Sequence, residues 1–148
     1  MPGGELKGQA GTDNMKKLTH EPGEFRKADC YFAAYKTLER EAWDSENKKY
    51  KPTDWRLVHG VVNDKDGPFG HAWLENNDTI YDPMERRYIP KSDYIAANHV
   101  SRTIVYSFQA AVQHLNALKT YGYWAPEFAD LQHLPRTPDP NDAGEGAE

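Results

Sequence analysis

Between residues 29 and 43 the chain reads DCYFAAYKTLEREAW, with apolar side chains at 30, 34, 38 and 42 and Tyr31 and Tyr35 beside them. That spacing keeps one face apolar and predicts a helix of about four turns. Asp29 is a good N-cap residue, which puts Cys30 at the first helical position. The polar run SENKKYKPTD, 45–54, breaks the pattern and reads as a loop. WRLVHGVV, 55–62, is β-branched and aromatic and predicts a strand, with Gly60 inside it as a bulge or a close approach. NDKDGP then reads as a turn, and HAWLE (71–75) and TIYD (79–82) flank NND as a hairpin with a polar tip. Pro83 stops the second hairpin strand, and RRYIP, 86–90, can pair again at the sheet edge.

Further on, SDYIAAN (92–98) suggests a short helical turn and HVSRTIVYSF (99–108) another strand. FQAAVQHLNALKTYG (108–122) places Ala111, Val112, Leu115 and Leu118 on one stripe, with Gly122 as C-cap. No internal repeat interrupts this order. The pattern predicts an α+β fold in which an N-terminal helix carrying the cysteine packs on a small antiparallel sheet, with a helix near the C-terminus.

Composition changes the picture mainly at the ends. Residues 1–20 hold Pro2, Gly3, Gly4, Gly8 and Gly11 and few apolar side chains, so they are expected to be disordered or loosely ordered. Residues 135–148, PRTPDPNDAGEGAE, are Pro, Gly and acid and are expected to form a disordered tail. The folded unit is then a single domain over 21–134, long enough to bury a core. Net charge is −5 and no Lys/Arg cluster exceeds a local pair such as Lys48–Lys49, which disfavours nucleic acid as a partner. No apolar run approaches a membrane span and no secretory leader follows Met1. A single cysteine permits neither an internal disulfide nor a thiolate metal cluster, so a reducing cytoplasm is the expected compartment.

Cys30 is then either a buried small side chain or a nucleophile. The start of a helix favours the anionic thiolate, because its N–H groups are unpaired and the macrodipole is positive there. Asp29 opposes this, so a further cation is needed. An imidazolium is the usual one, and it also serves as general base and acid. Of the six histidines, His71 opens a predicted strand after Gly70 and shares a face with Trp73 and Glu75. A histidine used in this way needs an acceptor on its second nitrogen. Asp82, at the end of the partner strand, lies opposite the His71 end of the hairpin.

The cysteine at a helix start, RLVHG (56–60), HAWLE (71–75) and YDP (81–83) together resemble the transglutaminase-like branch of the papain-like cysteine hydrolase superfamily. The similarity covers residues 29 to 83, in the family's order and with similar gaps. It implies a papain-like core and a Cys30–His71–Asp82 triad that attacks an amide of a peptide, an isopeptide or a side chain through a thioacyl-enzyme. Two departures stand out: Asp29 replaces the small residue that often precedes the cysteine, and the hairpin between histidine and aspartate is short. The small size points to a compact, phage-like or bacterial version and favours hydrolysis over amine transfer. No cofactor is implied.

Other residues carry plainer readings beside sharper ones. Trp73 and Trp55 read as core packing, although the resemblance would place Trp73 near the histidine, where it could wall a substrate cleft. His59 could face substrate, but a half-exposed sheet histidine is the plainer reading. Tyr31 offers a backbone N–H beside the nucleophile; the Cys30 N–H is the obvious oxyanion donor, and no side chain upstream supplies the second one. Glu75 could accept from the His71 side, against an exposed strand carboxylate as default. TYGYWAPEF (120–128) could line a pocket, but is better read as aromatic side chains clamping the last helix to the sheet. His59, His71 and Asp82 could in principle hold a metal as two histidines and a carboxylate, but no HExxH or HxD spacing supports it. The competing functional class is a catalytically silent binding module or small inhibitor of the same fold. The oligomeric state is not legible.

Overall fold

A computed structural model of the chain describes residues 15–20, 22–26, 29–65 and 67–128. Residues 1–14 of the expected 1–20 segment and all of the expected 135–148 tail lie outside the described residues. Residues 15–20, expected to be outside the folded unit, are tied to it. Lys16 N–H donates to Thr79 Oγ1 (3.2 Å), Leu18 N–H to the Tyr88 hydroxyl (3.1 Å) and Thr19 N–H to Glu41 Oε1 (2.8 Å). Their polar composition hid this, because the anchors are backbone N–H groups, which every residue but proline carries.

Helix α1 spans Cys30–Ala42. The repeat suggested one apolar face, but ten of its thirteen residues are buried, including Glu41 and Thr37. It is a central helix, covered by the sheet, by Leu18 and Phe25 and by the chain near Tyr121 and Trp124. Phe32 and Leu38 are fully buried, each worth about 1.5–3 kcal/mol of hydrophobic stabilisation. Asp29 holds the N-cap position but makes no side-chain cap. Its carboxylate takes the Arg26 Nε–H instead, at 3.2 Å.

The expected loop after α1 contains a two-stranded ribbon, β1 (Trp43–Asp44) and β2 (Lys49–Tyr50). The Asp44 carboxylate organises it by accepting from Glu46 N–H, Asn47 N–H and Asn47 Nδ2. The main sheet follows: β3 (Arg56–Asp64), β4 (Gly67–Asn76), β5 (Thr79–Asp82) and β6 (Arg87–Pro90), then helix α2 (Lys91–Ala97) and β7 (Arg102–Tyr106). Helix α3 (Phe108–Leu118) and a 3₁₀ turn (Pro126–Phe128) complete the described chain. All pairs in the main sheet are antiparallel and the order is β6-β5-β4-β3-β7. The fold is α+β, with the cysteine-bearing helix packed on the antiparallel sheet.

Register explains two glycines. β3 and β4 pair without a break from Arg56↔Glu75 to Asp64↔Gly67, so Gly60 is no bulge. It is a close approach: a Cβ there would lie 2.4 Å from Trp73 Cη2 and 3.1 Å from the Arg102 carbonyl. β4 also begins four residues before His71, whose position is therefore interior to a strand, not its opening. At the other end, Gly122 is not the cap of α3. Lys119 takes that place, at φ 58°, and Leu118 is 50% exposed instead of lying on the buried stripe. Gly122 has φ 146°, and a Cβ on it would meet Tyr31 Cδ1 at 2.6 Å and His59 Cε1 at 2.8 Å. The chain after α3 thus folds down onto α1 and β3.

The two faces of the sheet are dressed differently. Leu57, Ala72, Leu74 and Tyr81 pack towards α1 and the terminal aromatic residues. Val58, Val62, Trp73 and Ile80 pack on the other side, beneath Tyr94 of α2.

Candidate functional site

Three elements converge at one flank of the sheet. Cys30 is the first residue of α1, His71 lies within β4, and Asp82 is the last residue of β5. His71 Nε2 and Asp82 Oδ2 are 3.0 Å apart, and His71 also hydrogen-bonds the Cys30 side chain. With Nε2 on the carboxylate, Nδ1 is left for the sulfur. Cys30 is 8% exposed and the His71 side chain 16%, so the pair opens to solvent through a narrow edge.

The strand pleat makes this meeting less simple than it looks in sequence. Ala72 and Leu74 face α1, so their alternates His71 and Trp73 face away from the helix that carries Cys30. Groups on opposite faces of a sheet can touch only around an uncovered edge. β5 pairs with β4 only from Asn76↔Thr79 to Leu74↔Tyr81, and past that end the start of α1 reaches the imidazole.

Asp82 is 1% exposed, and both its oxygens are engaged. Oδ1 accepts from Met84 N–H (2.8 Å) and Glu85 N–H (3.4 Å), the turn after Pro83. Oδ2 accepts from His71 and from the Tyr94 hydroxyl at 2.6 Å. Burial by itself pushes the Asp82 pKa up, but the His71 hydrogen bond and charge, then Tyr94 and Met84, outweigh it and hold the carboxyl below its usual range. Burial likewise works against an imidazolium, yet Asp82 and Cys30 together push His71 up to about 10. The site therefore favours a charged imidazolium between a carboxylate and a sulfur at neutral pH. A ring so placed can transfer a proton at the Cys30 side while its other nitrogen stays fixed.

The remaining candidates sit elsewhere. Trp73 is buried under Gly60, 5.9 Å ring to ring from His71 and 5.0 Å from Tyr94; it packs behind the site and does not wall a cleft. His59, read as half-exposed or substrate-facing, is fully buried on the α1 side, against Tyr31, Tyr106 and Trp124. Its neighbours on β3 gave no hint, because the cover comes from Tyr31 on α1 and from Tyr106 and Trp124, the last two more than forty positions later. Tyr31 is buried beside it, and its hydroxyl is pushed up chiefly by burial, so it stays neutral. Glu75 pairs with Lys91 Nζ at 3.3 Å, neither exposed by itself nor part of the histidine's shell. Tyr121 and Trp124 are buried, with Trp124 stacked on His114 and donating Nε1–H to the Thr120 carbonyl at 2.6 Å, a clamp on the end of α3. His59 and His71 face opposite sides, and among the described residues no three His, Cys, Asp or Glu side chains are grouped to hold a metal.

Sequence reasoning passed over Tyr94. The available signal was chemical: a buried tyrosine must place its hydroxyl on a partner. Comparison of the chain with protein-family models, with curated proteins and with solved structures finds no match in any of the three.

Proposed function

We propose that this protein is a cysteine hydrolase of transglutaminase-like type that cleaves an amide through a thioacyl-enzyme. The observation carrying the proposal is the Asp82–His71 bond at 3.0 Å, on a ring that also hydrogen-bonds a cysteine at a helix start. The Cys30 thiolate attacks the carbonyl carbon; a C–S bond forms and the carbonyl electrons move to oxygen. The N–H groups of the first turn of α1, Cys30's own among them, are the donors for that oxyanion. As the oxyanion collapses, the C–N bond breaks and His71 delivers its proton to the leaving amine. His71, now neutral, takes a proton from water, which attacks the thioester; the acid leaves and the thiolate–imidazolium pair returns. Asp82 holds the ring and its charge throughout. A peptide, isopeptide or side-chain amide fits this chemistry.

Cys30→Ala should abolish turnover in a screen of amide substrates while leaving the unfolding midpoint near that of the wild type. Retained turnover would sink the proposal. A second reading, a binding module of the same fold without the reaction, draws on the small exposure of Cys30 and on Asp29 beside it. It predicts a stable stoichiometric complex and alkylation of Cys30 that ignores the loss of His71.

A further inference from the structure

We infer that Tyr94 is a positioning residue, whose hydroxyl fixes the rotation of the Asp82 carboxylate so that Oδ2 addresses the imidazole of His71. The inference rests on the cysteine chemistry proposed above. Tyr94 comes from α2, on the side of the sheet away from α1, and is 1% exposed. Its hydroxyl donates at 2.6 Å to the oxygen that also takes His71. The other oxygen is pinned by Met84 N–H and Glu85 N–H. Without the phenol, Oδ2 would have only the imidazole it is meant to hold, and it could shift about the pinned Oδ1.

The phenol is itself held in place. Its ring lies 5.0 Å from that of Trp73, which fills the space left by the missing Cβ of Gly60. The Tyr94 carbonyl is bonded by Asn98 N–H and Asn98 Nδ2, which ties down the end of α2. Filling the core would need only a phenylalanine here; the hydroxyl adds a donor aimed at a carboxylate that already has an ionic partner. Burial, then the Asp82 charge, raise the phenol's own pKa far above neutrality, so it remains a donor. The charged and titratable groups around the phenol and this carboxylate include His71 on β4, Cys30 on α1 and Glu85 in the turn, and Arg87 on β6 is the register partner of Asp82.

The test is the rate of Cys30 alkylation by iodoacetamide against pH, in wild type, His71→Ala and Tyr94→Phe. With Oδ2 held by the imidazole alone, the imidazolium is placed less well beside the sulfur and Cys30 reacts more slowly. Tyr94→Phe should therefore slow alkylation near pH 6 by about threefold to tenfold, a part of what a hydrogen bond to a charged group is worth. Its rate should rejoin the wild type in alkaline solution. 3-Fluorotyrosine at position 94, which keeps ring and donor, should keep the wild-type profile. A Tyr94→Phe profile that overlies the wild type while its unfolding midpoint falls would overturn the inference and leave Tyr94 as packing. So would loss of the wild-type profile with fluorotyrosine. A wild type indifferent to His71→Ala would instead remove the cysteine chemistry itself, and the inference with it.

Discussion

Asp82→Asn keeps the shape of the side chain and removes its charge. In the wild type Oδ1 takes backbone N–H groups of the turn, while Oδ2 takes two donors, the His71 Nε2–H and the Tyr94 hydroxyl. An asparagine whose oxygen stays with the turn presents its NH₂ to those two donors. The imidazole can meet an NH₂ only by giving up its Nε2 proton, so the variant favours the neutral ring. The lost bond is one to a charged partner, worth about 1.5–3 kcal/mol. At 1.36 kcal/mol per pKa unit, His71 should fall from about 10 to about 8–9. Stability follows by linkage. Because the folded His71 pKa is raised, its contribution is complete below the unfolded value of about 6.5 and is lost as pH rises towards the folded one. Because the folded Asp82 pKa is lowered, its contribution is present above the unfolded value of about 3.9 and is lost as pH falls through the folded one. The assay is an NMR titration of the imidazole carbons, with His71→Asn for assignment, together with urea unfolding at several pH values. The stability gap between wild type and Asp82→Asn should be widest between about pH 4 and 6.5 and should close in acid. A His71 that titrates at the same pH in both proteins, or a gap undiminished in strong acid, would refute the reasoning.

Two further changes test the scaffold. Gly60→Ala puts a methyl 2.4 Å from Trp73 Cη2, where carbon atoms prefer about 3.5–4.0 Å; overpacking should cost about 1–3 kcal/mol, seen as a lower urea midpoint, and an unchanged midpoint would show that Trp73 is free to move. Thr19→Val removes the hydroxyl that donates to the buried Glu41 carboxylate at 2.9 Å, a loss of about 1.5–3 kcal/mol; hydrogen exchange should then quicken at the 15–20 segment, and unaltered exchange there would argue that its backbone bonds suffice.

Much of the local order was legible. The four-residue repeat of Cys30, Ala34, Leu38 and Ala42 marked the helix, and the polar tip between Glu75 and Thr79 marked the hairpin, because helix and strand periods are set by neighbours along the chain. From these followed a cysteine at a helix start, with a histidine and an aspartate on paired strands. What escaped depends on contacts between distant segments. β4 runs back to Gly67 because β3 offers a partner for its whole length, although Gly67 and Pro68 look like a turn. α1 is buried almost all round because the chain before it and the chain after α3 both fold onto it, which no single helical face announces. The same descent buries His59 and replaces Gly122 as a cap by Lys119. Only the tertiary structure chose Tyr94 as the fourth member around Asp82, since its hydroxyl finds that oxygen by the packing of α2 across the sheet, not by any spacing along the chain. The sequence alone determined which reactive side chains the chain carries; the sheet's edges and faces decided which of them touch.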